Sequence, residues 1–128
     1  MSAEAFRKAV ESFDLDAAVA CLSPDIVFHS PVTFKPFEGR DAVALLFSIL
    51  FRTFEDFHYV GEFAANDGSA VLHFRTRIGD RDVEGIDMIS MADDGLIDEF
   101  TVMVRPLSAA MALRDAVGSQ LGIETAGR

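Results

Sequence analysis

The residues best equipped to act on a ligand gather in one stretch, Gly85 to Pro106, which reads GIDMISMADDGLIDEFTVMVRP. It carries an acid, Asp87, in one apolar segment and a base, Arg105, at the end of the next. A carboxyl group in an apolar pocket can take and return a proton; burial raises its pKa and a nearby arginine lowers it. A guanidinium can clamp a carboxylate or enolate oxygen with its planar fork. His29 and His73 are candidate proton shuttles, because imidazole titrates near neutral pH. Each residue also has a plain structural use. Asp87 and Arg105 can neutralise one another as a cross-strand ion pair. Arg105 can instead bind Glu99 or a helix C-terminus. A lone histidine most often donates to a backbone carbonyl, and His58, beside Asp56, reads as a surface residue.

Other chemistries lack the spacing they need. The three histidines form no H-x-H or H-E-x-x-H pattern, so no metal is expected. There is no G-x-S-x-G and no glycine-rich phosphate loop. No cofactor is expected. The formal net charge is −10, which argues against nucleic acid or an anionic membrane as partner, since both need basic surface. Cys21 is the single cysteine; it allows no intrachain disulfide, reads as a small buried hydrophobe, and fits a reduced, cytoplasmic setting. No signal peptide is apparent at the N-terminus, and the apolar run of residues 42 to 51 is too short to span a bilayer.

The elements that must hold these groups follow from periodicity. The chain has 128 residues, half of them hydrophobic, with twelve phenylalanines; that is core enough for one domain over 1–128. Residues 2 to 13 read as a helix with Phe6, Val10 and Phe13 on one side. Asp14 can cap a second short helix, ended by Ser23-Pro24-Asp25. Ile26 to Ser30 reads as a strand. The following loop holds Phe34 and Phe37, placed either to close a cavity mouth or to pin the loop. Gly39 opens a long helix whose apolar side, including Phe47 and Phe51, is wide enough to be buried on more than one side. From Phe57 the period changes to two. Three turns, Asn66-Asp67-Gly68, Gly79 to Asp82 and Asp93-Asp94-Gly95, connect four strands into an antiparallel meander. Leu107 to Leu121 reads as a closing helix, and the last seven residues as a frayed end. Helices segregated from a mostly antiparallel sheet make an α+β fold.

Strand alternation sorts the side chains by face. His73, Arg75 and Arg77 share one face of their strand, with Leu72, Phe74 and Thr76 on the other. Gly85, Asp87 and Ile89 share a face. Thr101, Met103 and Arg105 lie opposite Phe100, Val102 and Val104. Register is not visible, so His73 and Thr76 remain alternatives for the pocket side.

In element order over residues 2 to 106, and in GID at 85–87 followed by DDGLIDEF, the chain resembles the SnoaL-like branch of the nuclear transport factor 2-like superfamily, the cystatin-like cone folds. The resemblance implies a strongly curved sheet wrapped around the N-terminal helices, with a pocket between them. It turns Asp87, Thr101, Met103 and Arg105 toward that pocket and puts the pocket role of Asp87 ahead of the ion pair. Polyketide cyclases of this group commonly carry E-x-W-x-x-x-D on the last strand. Counted from Glu99, the tryptophan position is Thr101 and the aspartate position is Arg105, so an acid–base carboxylate has become an obligate cation. Ketosteroid isomerase uses a tyrosine with two carboxyls; the one tyrosine here, Tyr59, is not on the first helix. The implied function is binding of a small apolar, oxygenated molecule, with acid–base isomerisation, cyclisation, dehydration or epoxide hydrolysis as the candidate chemistry. Asp87, Arg105 and His73 are then the candidate catalytic residues, and His29, Thr101, Met103, Phe47 and Phe51 the candidate ligand contacts. The alternative is a non-catalytic ligand-binding or dimerisation module. Both readings expect a homodimer through the outer sheet face, with Val102 and Val104 in the second reading's interface.

Overall fold

The computed structural model describes residues 2–121. The expected frayed end, residues 122–128, lies outside the described residues. Two helices, α1 (Ser2–Glu11) and α2 (Leu15–Ala20), lead into β1 (Leu22–His29). A two-residue strand β2 (Phe37–Glu38) precedes the long helix α3 (Arg40–Thr53). The meander follows as β3 (Glu55–Ala64), β4 (Ala70–Ile78), β5 (Arg81–Met91) and β6 (Ile97–Arg105), and α4 (Leu107–Leu121) ends the description.

Local chemistry accounts for most boundaries. The Asp14 side chain accepts from the Ala17 amide at 3.0 Å, capping α2. The meander turns reverse on Gly68 (φ 89°) and Gly95 (φ 84°), a left-handed conformation that a Cβ would oppose. The strand expected from Ile26 to Ser30 begins earlier, at Leu22, and takes in Ser23-Pro24-Asp25. β1 runs through Pro24 because that end of β1 is irregularly paired: Leu22 lies opposite Ile97, and regular pairing resumes only at Val27.

The six strands form one sheet in the order β2-β1-β6-β5-β4-β3, with β1 parallel to β6 and all other pairs antiparallel. α1 and α3 cover the inner face, and their apolar sides meet it through Phe6, Leu46 and Phe47. Phe47 and Phe6 both lie edge-on to Phe100, at 5.7 and 5.3 Å between ring centres, a favoured aromatic geometry.

Of the register shifts in the sheet, two decide the faces of the site residues. From the turn to Ser90, β5 and β6 pair as Met91↔Ile97 and then Ser90↔Glu99, so Asp98 is an extra residue. Beyond it Asp87 lies opposite Val102 and Gly85 opposite Val104. In β3, Gly61 lies opposite His73 and Tyr59 opposite Phe74, which leaves Val60 as the extra residue. A one-residue slip exchanges the faces of everything beyond it. The Val60 bulge therefore turns Tyr59 inward, while Phe63, on the other side of it, stays on the outer face.

Gly85 has a packing role. A Cβ on it would lie 2.5 Å from the Met103 carbonyl oxygen and 2.5 Å from Phe74 Cζ. The missing side chain makes room for the Phe74 ring, which stacks on Phe57 at 4.8 Å.

Candidate functional site

Between the inner sheet face and the helices lies a cavity of about 90 Å³. Its walls come from α1, α3, α4 and the inner sides of β1 and of β3 to β6, and phenylalanine is the commonest residue in them: Phe28, Phe47, Phe51, Phe57, Phe74 and Phe100 among others. The residues that bring polar side chains to the lining are Ser30, Thr33, Tyr59, Asp87 and Arg114. Ser30 and Thr33 already serve the loop. Ser30 Oγ accepts from the Val32 amide, and Thr33 Oγ1 donates to the Lys35 carbonyl.

Asp87 is 6% exposed and accepts a hydrogen bond from Tyr59 Oη at 2.7 Å. Burial pushes its carboxyl up to about 7, against the smaller opposing pull of the tyrosine hydrogen bond. Tyr59 is pushed well above the usual phenol range, first by burial and then by the charge of Asp87 and the bond to it. The phenol therefore stays a donor, and the carboxyl holds both protonation states near neutrality. Arg7 lies over the Tyr59 ring at 5.8 Å, tied in turn to Glu62 and Glu11, within cation–π range of it.

The candidate residues of the sequence divide by face. Asp87, Phe47 and Phe51 line the cavity. Arg105, Thr101 and Met103 do not: the Asp98 bulge turns them to the outer face, where Met103 is 53% exposed. Arg105 Nη1 donates to Glu84 Oε1 at 2.8 Å and makes no pair with Asp87 or Glu99. His73 also lies outside, with Nε2 2.6 Å from Glu84 Oε2, and Arg75 shares that oxygen at 3.2 Å. Thr76, the alternative to His73, faces inward but donates to the Glu55 carbonyl and does not line the cavity. His29 is on the outer face, 3.1 Å from Glu99. Val102 is buried inside and not on an outer interface; Val104 shares its side of β6 and packs on the core. Phe37 edges against Phe28 at 6.3 Å and lines the cavity, while Phe34 is 93% exposed and does neither job foreseen for it. Among the described residues no three His, Cys, Asp or Glu side chains gather as metal ligands.

Tyr59 is the residue the sequence reading set aside. Regular alternation back from the Asn66-Asp67-Gly68 turn puts Tyr59 and Phe57 beside Arg75 and Arg77 on the outer face. Two aromatic rings on the side that otherwise carries charges conflict with that register, and the conflict was the available signal.

A family model for the SnoaL-like domain matches residues 3–100. The chain belongs to the SnoaL-like family. Among solved structures, this SnoaL-like chain is similar to a steroid delta-isomerase from Pseudomonas aeruginosa, 39% identical over 94% of this chain and 89% of that one, with a TM-score of 0.89. An uncharacterised bacterial protein with a cystatin-like fold from Silicibacter pomeroyi DSS-3 is 29% identical over 94% and 85%, also with a TM-score of 0.89. An NTF2-like protein of unknown function from Mesorhizobium loti, 23% identical over 82% and 91% with a TM-score of 0.71, shares the fold. No curated protein matches the chain. No helix among the described residues is long and apolar enough to cross a membrane.

Proposed function

We propose that this SnoaL-like protein binds a small apolar, oxygenated molecule in its cavity and moves a proton on it with Asp87. One observation carries the reading: the Tyr59–Asp87 pair, joined at 2.7 Å inside a phenylalanine-lined space, with a carboxyl lifted to about 7. A general acid–base group works best when its pKa lies near the working pH. On an enolisable ketone, the Asp87 carboxylate takes a proton from a carbon beside the carbonyl, and the electron pair moves to the carbonyl oxygen. The neutral acid then returns the proton at another carbon of the conjugated system, which shifts the double bond. Tyr59 keeps the carboxyl oriented throughout. The relative described as a steroid delta-isomerase supports this class of reaction, as does its 39% identity. Of the wider menu, cyclisation, dehydration and epoxide hydrolysis have less support.

The test is turnover of a β,γ-unsaturated ketosteroid, followed by the absorbance of the conjugated product. Wild type should turn it over, and Asp87→Asn should lose about 10²–10⁴-fold while keeping its fold by circular dichroism. No turnover by wild type between pH 5 and 9 would remove the isomerase reading.

The second reading, a non-catalytic binding or dimerisation module, is favoured by the size of the space. About 90 Å³ is less than the roughly 150 Å³ that admits a benzene. A multi-ring ligand fits only if lining rings turn aside. For a partner we propose a second copy on the outer sheet face, where Phe63, Met88 and Met103 are exposed; sedimentation as a monomer at micromolar concentration would remove it. The cytoplasmic setting rests on the lone cysteine.

A further inference from the structure

We propose that Arg114 selects the ligand, receiving a carboxylate at the outer end of an apolar molecule whose oxygenated inner end lies against Asp87 and Tyr59. This rests on the pocket reading above and adds the ligand's chemical class. Of the residues lining the cavity, Asp87 is the one carboxylic acid and Arg114 the one basic side chain. They sit at different depths. Asp87 is sealed, whereas the Arg114 side chain is 35% exposed and so reaches both the cavity and solvent.

The hydrogen bonds of Arg114 leave it available. Its Nε donates to Asp115 Oδ1 at 3.1 Å, a largely exposed neighbour on the same helix. Among the described residues neither of its Nη atoms has a hydrogen-bond partner. Arg7, Arg77 and Arg105, by contrast, each place an Nη on a carboxylate. An unengaged Nη edge beside an apolar opening suits a planar acceptor with two oxygens, which it can hold by two parallel bonds. One cation balances a monoanion. A dianion such as phosphate is disfavoured by the acid excess of the chain, net −10. The ligand is thus an amphipathic acid with an apolar body and an oxygen at its far end.

The test compares 6-methoxy-2-naphthylacetic acid with its methyl ester, by calorimetry, on wild type, Arg114→Met and Arg114→Lys. The two probes share body and inner oxygen; at the outer end the ester loses the charge and gains one methyl. Wild type should bind the acid about tenfold more tightly than the ester, Arg114→Met should lose most of that ratio with ester affinity held within about twofold, and Arg114→Lys should keep part of it. Methionine keeps an unbranched apolar stem at this helix position, and the lysine variant keeps the charge if methionine disturbs the helix. An acid-to-ester ratio that is the same in wild type and Arg114→Met overturns the inference and leaves the pocket reading standing; the arginine stem then only covers apolar surface. If neither probe binds any of the three proteins at millimolar concentration, the lining rings do not turn aside for a two-ring acid and this inference falls, while turnover of the ketosteroid decides the pocket reading separately.

Discussion

Glu84 and Asp87 lie three residues apart on β5, an odd spacing that sends one to the outer face and the other into the cavity. Glu84 sits among cations. Its carboxyl is held below the usual range, chiefly by the hydrogen bonds from His73 and Arg105. Asp87 sits among phenyl rings with one phenol for company, and burial pushes it up to about 7. Both are carboxylic acids on the same strand, and they shift in opposite directions from their ordinary values, so the difference is one of solvent and neighbours. A strand in a curved sheet thus carries a carboxylate held in its charged form by its partners on the outer side and a carboxyl that can exchange a proton on its dry side. The first ties three strands together; the second is available for chemistry.

Replacing Asp87 tests the dry side and should give the largest effects. Beside the loss of turnover given above, Asp87→Asn should stabilise the fold at alkaline pH. The sign follows from linkage. The folded pKa, about 7, exceeds the reference value of 3.8. Between these two the unfolded chain releases the proton while the folded chain keeps it, so stability falls as pH rises through that window and stays reduced above it. The full difference corresponds to the order of 4 kcal/mol. Urea titrations at pH 5 and pH 8.5 should show wild type weaker at the higher pH and Asp87→Asn nearly indifferent. Equal pH slopes in the two proteins would mean that Asp87 is not buried as described.

Gly85→Ala comes next. Its new methyl meets the Phe74 ring and a backbone carbonyl on the two sides, and overpacking of this kind costs about 1–3 kcal/mol. The measurement is the denaturation midpoint; an unchanged midpoint would show that Phe74 can move aside. Tyr59→Phe should cost about 1 kcal/mol for the lost hydrogen bond. It should also raise the Asp87 pKa further, since the tyrosine bond is the influence that lowers it. A carboxyl carbon signal titrating at the wild-type pH would show the bond to be unimportant. The smallest effect belongs to the wet side. Arg105→Met removes one of the two arginines paired with Glu84, at a side chain that is 73% exposed, and exposed pairs contribute little. Melting should shift by no more than a few degrees and the Asp87 titration not at all. A coupled shift in that titration would erase the separation between the two faces.

The chain order, the three meander turns and the α+β class were legible because each depends on local periodicity and turn chemistry. Asp87 was legible as an acid inside an apolar strand. Its partner was not. Regular pairing out from Asp93-Asp94-Gly95 puts Asp87 beside Thr101, with Met103 and Arg105 on the same side. The extra residue Asp98 reverses that face, and Arg105 goes to Glu84. Tyr59 reached the cavity by the same device at Val60. A composition check pointed the right way: Phe100 and Val102 are the apolar face of β6, and an inner face is expected to be apolar.

Sequence by itself determined which residues share a strand, where the chain reverses and which carboxyl lies in apolar company, because these depend on neighbours within a few positions. Tertiary structure alone decided that Asp87 meets Tyr59, that Arg105 faces water and that Arg114 reaches the cavity. The first two hang on one-residue bulges, which the side-chain pattern marks only as a face that breaks regular alternation. The third hangs on the docking of a helix brought from the far end of the fold.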